Sequence, residues 1–581
     1  MTDHQALIAA LTAIAGKRHV LTSHRATARF RTGFRFGAGN VLAVVRPGSL
    51  VEQWRTLHAC HASGVIIIMQ AANTGLTGGS TPDGDAYDRP IVIINTLRLT
   101  RIHVLPGAGQ IIALPGATLF QLEKTLRPLG REPHSVIGSS CLGASVTGGI
   151  ANNSGGALIR RGPAFTQLAL YARVNEANQL ELINHLGLTL GDDPETILRR
   201  LESGDFSPAD ILHPQDRAAS DPDYVTHIRD IAASTPARFN ADPRRLFEAS
   251  GSAGKLAIFA TRLDTFPKDD QTATFYIGTN DPAELTALRR HILANFAALP
   301  VAGEYIHRTA FDIAATYGKD MFLAIETLGT DRLPALFALK SRFDQFAKTL
   351  PFLPRDLSGR LMQLASHLFP QHLPARMRAW RDSYEHHLLL KMSGAGIHEA
   401  RAYLSTHFPT ASGAYFECTP SEAAKAFLHR FAVAGAAIRY RAIHADTVAD
   451  IVALDIALRR NDESWQEQLP ADLDGKILHK LYYGHFFCHV FHQDYIIKKT
   501  ANPLTIEHEM WQLLDDRGAQ FPAEHNVGHL YQAKPALAAH YKSLDPCNCF
   551  NPGLGQTSKF ACWAEPPGLT SPARGKKMNR F

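Results

Sequence analysis

Two short stretches late in the chain carry side chains suited to proton transfer. GHFFCHVFH supplies His485, His489 and His492, and AEHNVGH supplies Glu524, His525 and His529. Imidazole is the side chain best matched to base chemistry near neutral pH. His485 and His492 are seven positions apart. On a helix they would share one face; on strands the odd separation sends them to opposite faces unless a turn intervenes. Upstream, AAKAFLHRFAVAGAAIRYRAIH (Ala423 to His444) offers Arg430 and Arg439. A guanidinium can pair bidentately with a substrate carboxylate.

Two small-residue stretches suggest what these groups work against. SVIGSSCLGASVTGGIANNSGG, Ser135 to Gly156, holds six glycines and no charge. It suits neither a core helix nor an ordinary strand, because each glycine costs backbone entropy. It does allow a bulky ligand to approach the backbone, with N–H groups aimed at it. AANTGLTGGS, Ala71 to Ser80, follows the apolar run Val65 to Met69. A strand leading into such a loop is a way to cradle a diphosphate. Neither loop has the strand–GxGxxG–helix context of a Rossmann site, and no Walker lysine is present.

The elements that must position these residues follow in order. A chain of 581 residues should hold more than one domain. VEQWRTLHACHAS reads as helix and VIIIMQ and IVIINT as strands, giving a first α+β domain. After Pro267, TATFYIGTN and DPAELTALRRHILANF read as strand, capped turn and helix, opening a second domain. From 335 to 383, Lys340, Arg342, Lys348, Arg355, Arg360, Arg376, Arg378 and Arg381 face only Asp344, Asp356 and Asp382. That local +5 is most of the chain's net +6. Interleaved Phe and Leu make it suit an anionic lipid surface, and no nucleic-acid motif accompanies it. No run of about 18 consecutive apolar residues, the length that would span a bilayer, is present. The apolar Ala6 to Gly16 is followed, not preceded, by basic residues, which fits an amphipathic helix and not a secretory signal. Seven scattered cysteines suggest a reducing compartment, and Cys547, Cys549 and Cys562 lack a four-ligand spacing.

The two glycine-rich loops, with PGATLFQLEKTL (Pro115 to Leu126) between them, resemble the flavin-binding domain of vanillyl-alcohol-oxidase-type proteins. Across nearly the whole chain the resemblance is to the respiratory, quinone-dependent D-lactate dehydrogenase family. It implies an α+β fold: a two-part FAD-binding domain (1–264, completed by 515–581), an α+β cap (265–306 and 384–514), and a basic helical membrane-binding domain (307–383). It implies non-covalent FAD, with Ala71, Ala72, Asn73, Thr74, Gly75, Gly79 and Ser80 around the diphosphate. Gly138, Ser145 and Gly155 would line the flavin, and Ile258 would contact it by its backbone. D-lactate would be oxidised to pyruvate and a membrane quinone reduced, on the cytoplasmic face of the inner membrane. Relatives bind a divalent metal through a GH…H pair and the Glu of an EH-x-x-G motif, whose His is the base. Here those positions are His485, His492, Glu524 and His525, but the relatives' intervening GDGN is replaced by FFCHVF. The trio would then hold a metal or form a polar site that orients lactate. Arg430, in FLHR, matches the substrate-arginine region. Two other readings use the same residues: a soluble dehydrogenase of another 2-hydroxy acid with a protein electron acceptor, and a flavin-binding module without turnover.

Overall fold

The computed structural model describes residues 3–134, 143–328 and 357–565. Gly138, Cys141, Lys340, Arg342, Lys348 and Arg355 lie outside them.

Two small sheets build the N-terminal part. In the first, Val20–Leu21, Ala43–Val45, Ile91–Asn95 and Ile66–Gln70 lie in that spatial order. The last three are parallel, with nearly every side chain buried, as a sheet covered on both faces requires. The second is antiparallel, in the order Ile102–Val104, Gln110–Ala113, Ala257–Asp264, Ala169–Val174 and Leu180–Asn184. One apolar core joins the two sheets. The apolar stretch near the N-terminus forms helix Asp3–Ala15, which buries Leu7, Leu11 and Ala15 into that core. VEQWRTLHACHA lies in helix Leu50–Ala62, started by a Ser49 side chain that accepts from Glu52 N and ended at Ser63.

A seven-stranded antiparallel sheet dominates the rest. Its order is Gly413–Glu417, Thr272–Thr279, His386–Ser393, Ala302–His307, Ile477–His485, Val490–Lys498, Val448–Ala457. Side chains alternate between its faces. One face buries Phe275, Ile277, Leu388 and Leu454 with helices Pro282–Asn295, Gly396–His407 and Pro503–Asp516. The other buries Tyr276, Ile306, Leu389 and Leu481 with helices Arg308–Tyr317, Pro420–Phe431 and Val433–Ile443. On this second face the hydrophobic pattern breaks, and the polar groups described next replace it.

Helix Leu357–Ser366 and the residues after it differ from the core. Leu361, Leu364, Leu368 and Phe369 are exposed, Leu368 at 88%. Among the described residues no helix is long and apolar enough to cross a membrane.

Candidate active site

His485 and His492 stand on the two strands of a hairpin, and that resolves the odd spacing. The turn Phe486–Cys488 and left-handed His489 (φ 52°) reverse the chain, so Tyr483 pairs with His492 and His485 with Val490. Both histidines therefore point to one face. Cross-strand partners add Glu304 opposite His485 and Asp455 opposite His492. Four titratable groups thus come to one face from four strands.

The segment 524–525 meets this face and is pinned by Asp455. Asp455 Oδ2 accepts from Glu524 N at 2.6 Å, His525 N at 3.1 Å and His525 Nδ1 at 2.6 Å. Its Oδ1 lies 3.4 Å from His492 Nδ1. Burial alone would push the Asp455 carboxyl up, but His525 and His492 hold it well below the carboxylate range. For His525, burial opposes the charge, but Asp455 outweighs it and raises the pKa. With Nδ1 committed, Nε2 is the atom left to accept a proton. The His525 side chain is 34% exposed, the most open of the group.

Behind this pair runs a chain of alternating charge. Arg238 Nη2 lies 2.7 Å from Glu524 Oε1, Glu524 Oε2 3.3 Å from His485 Nε2, His485 Nδ1 2.6 Å from Glu304 Oε1, and Glu304 Oε2 2.9 Å from Arg430 Nη2. All five are buried. Burial works against a charged His485, yet Glu304 and Glu524 override it and lift the pKa to about 9. Burial would raise Glu524, yet Arg238 and His485 pull it to about 2. Arg430 Nε and Nη2 lack an aligned hydrogen-bond acceptor, and its guanidinium lies 4.8 Å over the Tyr483 ring.

The second glycine-rich stretch closes against the same groups. A Cβ on Gly155 would fall 2.0 Å from Glu524 Oε1 and 3.0 Å from Arg238 Nε. Arg238 also donates to Gly156 O and, at 3.2 Å, to Leu158 O. Only a glycine lets this backbone lie on the ion pair. Ser145 caps helix Val146–Ala151 by accepting from Gly148 N at 2.9 Å.

The first loop is braced from below. Asn95 donates to Ala71 O at 2.8 Å, Gln70 to Ser80 O at 2.7 Å and Asn551 to Gly79 O at 2.7 Å. Asn73 takes φ 55° and accepts from Ser80 Oγ at 3.0 Å. Among the described residues, the N–H groups of Ala72, Thr74 and Gly75 donate to no protein acceptor, and a Cβ on Gly75 would meet open space. That is a cradle of free donors, as a diphosphate requires. Ile258 sits where its strand shifts register, its carbonyl accepting from Gln53 at 3.2 Å.

The structure thus brings His525, His485, His492, Glu524 and Arg430 together beside Gly155. Arg439 is placed elsewhere, ion-paired with Asp320 at 2.9 Å. His489 and His529 are bound to backbone carbonyls. Asp455, Glu304 and Arg238 were not singled out from sequence. Asp455 had a signal, a lone acid in the apolar run IVALDIAL. Of Cys547, Cys549 and Cys562, none joins a metal-competent group among the described residues.

The fold is of the vanillyl-alcohol-oxidase type, and the family matches make the chain an FAD-dependent oxidoreductase. Residues 41–177 match the family described as "FAD binding domain". Substrate-bound p-cresol methylhydroxylase superposes with a TM-score of 0.56 at 12% identity, covering 95% of this chain and 97% of that one. Alkyldihydroxyacetonephosphate synthase gives 0.54 at 11%, covering 94% and 84%. Residues 274–563 match "D-lactate dehydrogenase, membrane binding". Quinone-dependent D-lactate dehydrogenase of Escherichia coli K12 is 58% identical over 97% of this chain and 99% of its own length. The Haemophilus influenzae enzyme of that name is 58% identical over 97% and 100%, and the Corynebacterium glutamicum one 46% over 97% and 98%. The chain belongs to the quinone-dependent D-lactate dehydrogenase family.

Two predictions follow from this geometry. A base must be neutral to act; with His525 in that role, kcat/KM is expected to fall as pH drops through its raised pKa, above the ordinary value of about 6.5. Asp455→Asn is expected to move that limb to lower pH and cost roughly 10²- to 10⁴-fold in rate, read from pH profiles of both proteins. Gly155→Ala should displace Glu524 and lower kcat/KM about 10²-fold, with steady-state kinetics as the check.

Proposed function

We propose that the chain oxidises D-lactate to pyruvate at bound FAD and passes the electrons to a membrane quinone. Full-length kinship with quinone-dependent D-lactate dehydrogenases supports the reaction. The observation that supports the mechanism is the Asp455–His525 hydrogen bond beside the Gly155 backbone. His525 Nε2 takes the hydroxyl proton of D-lactate. Asp455 holds the ring through Nδ1 and stabilises the imidazolium that results. Arg430, whose Nη2 is ion-paired with Glu304, offers the substrate carboxylate its Nε, a buried donor that lacks an aligned acceptor. FAD, when bound, supplies the two-electron acceptor. Its holders are the loop Ala71 to Gly75 with Gly79 and Ser80, together with Gly138, Ser145, Gly155 and the Ile258 backbone, without a covalent bond.

His485, His492 and Glu524 have ligand atoms within 4.8 Å of one another, the spacing of a candidate metal trio. Their charges are already satisfied from within. His485 sits between two carboxylates that favour its protonated form, and a protonated imidazole has no lone pair for a metal. Glu524 is matched by Arg238. We assign these residues to a polar wall that orients the substrate, with no step through a metal.

Residues 307–383 provide the membrane contact. Exposed Leu361, Leu364, Leu368 and Phe369 stand near exposed Arg360 and Arg378 in sequence, a pairing suited to anionic lipid. The surface concerned is the cytoplasmic face of the inner membrane, where quinone is also found.

Dialysis against EDTA is expected to leave the D-lactate oxidation rate within about twofold. A loss restored by zinc or manganese would return the trio to metal binding. The holoprotein should sediment with vesicles containing anionic lipid at low salt and be released as salt screens the attraction. Leu364→Ser combined with Leu368→Ser should weaken that sedimentation without changing dye-linked activity. Recovery in the supernatant at low salt would favour the soluble reading.

A further inference from the structure

The strap that ends the described chain brings two of the scattered cysteines together. Residues 558–563 run beside the turn 545–551. Asn548 donates to Ser558 O at 2.9 Å and Phe560 O at 2.8 Å, and Trp563 Nε1 donates to Asp545 O at 2.8 Å. Between these contacts Cys562 N donates to Cys547 O at 2.9 Å. The Cys547 thiol donates to Asn175 O at 3.5 Å. Cys562 is exposed and holds a left-handed backbone (φ 52°), while Cys547 is half-buried. Neighbouring Cys549 is pushed up to about 12, chiefly by burial, which makes it the less reactive alternative.

This pair lies behind the cofactor cradle. Lys255, buried beneath the strap, donates to Asn548 Oδ1 at 2.8 Å and Phe550 O at 3.0 Å and lies 4.5 Å over the Trp563 ring. Next to Phe550, Asn551 donates to Gly79 O of the diphosphate loop and its N–H to Ile67 O at 2.9 Å. Whatever fixes the strap to the turn therefore also fixes one brace of that loop.

We propose that Cys547 and Cys562 are a redox pair that closes to a disulfide under a peroxide and clasps the C-terminal strap onto the turn bracing the diphosphate loop. The exposed Cys562 thiolate attacks a peroxide oxygen. The O–O bond breaks, a sulfenic acid forms, and the first water leaves once protonated. The Cys547 sulfur then attacks the sulfenic sulfur, the S–S bond forms, the S–O bond breaks, and the second water leaves. The two thiols give up two electrons and hydrogen peroxide becomes two waters. The clasp rests on the FAD-loop reading, but the disulfide itself does not.

The test uses the full-length holoprotein treated with hydrogen peroxide and then alkylated. Intact mass should fall by about 2 Da before alkylation, with peptide 543–559 linked to the peptide carrying Cys562. Cys547→Ser and Cys562→Ser should each abolish the link, and Cys549→Ser should keep it. Dithiothreitol should reverse it. Oxidised protein should release FAD at least about threefold more slowly than reduced protein, and Cys562→Ser should show no such difference. A link through Cys549, a sulfinic acid on Cys562 with no link, or no mass change would overturn the pairing. A disulfide with unchanged FAD release would overturn the clasp alone.

Discussion

The site depends on one buried carboxylate. Asp455 sits in the apolar run Ile451 to Leu458 and accepts two backbone N–H groups and one imidazole from Glu524 and His525. Three donors on one oxygen fix the position of a segment that carries both His525 and Glu524. An aspartate in such surroundings is stable only if it is paired. The same requirement that keeps it charged therefore also orients His525. Its cross-strand partner His492 extends the hold to the next strand.

The chain from Arg238 to Arg430 shows why so many charges can be buried together. Signs alternate along it, so each group offsets the desolvation of its neighbours. Removing one member would strand a charge and cost about 3–5 kcal/mol. The two ends come from different parts of the chain: Arg238 supports Gly156 of the glycine-rich stretch and Leu158 just after it, and Arg430 pairs with Glu304 on the seven-stranded sheet. Arg35 adds a further tie, donating from beside the first loop to Ile451 O at 3.2 Å on the Asp455 strand. The electrostatics thus join the glycine-rich stretch and the first loop to the polar face of the seven-stranded sheet. Stability is linked to pH through the same groups. His485 contributes fully below about 6.5, and its contribution is lost as pH rises through about 9. Glu524 contributes above about 4.5, and its share is lost as pH falls through about 2.

Much of this could be read from residues alone, and the gaps have physical causes. Strand and helix patterning was legible wherever the apolar period was clean, as in Ile66–Gln70, Leu50–Ala62 and Thr272–Thr279. The glycine-rich loops were legible because few other uses require so many small residues. The His485–His492 geometry was left open because spacing does not show whether a turn intervenes; the turn at His489 decides it. Asp455, Glu304 and Arg238 were missed because each acts through a partner distant in sequence, which strand pairing brings near for Glu304 and His485 and loop packing for Arg238 and Glu524. Arg430 and Arg439 looked alike in sequence. They diverge because one helix faces Glu304 and the other faces Asp320.

The central claim is that His525, held by Asp455, removes the hydroxyl proton as the substrate reduces bound FAD. Anaerobic rapid mixing of the holoprotein with D-lactate tests it most directly. Bleaching of the flavin band by D-lactate and not L-lactate is expected, with His525→Gln slowing it by roughly 10²-fold or more at unchanged FAD content. Bleaching by D-lactate at the wild-type rate in that variant would contradict the account.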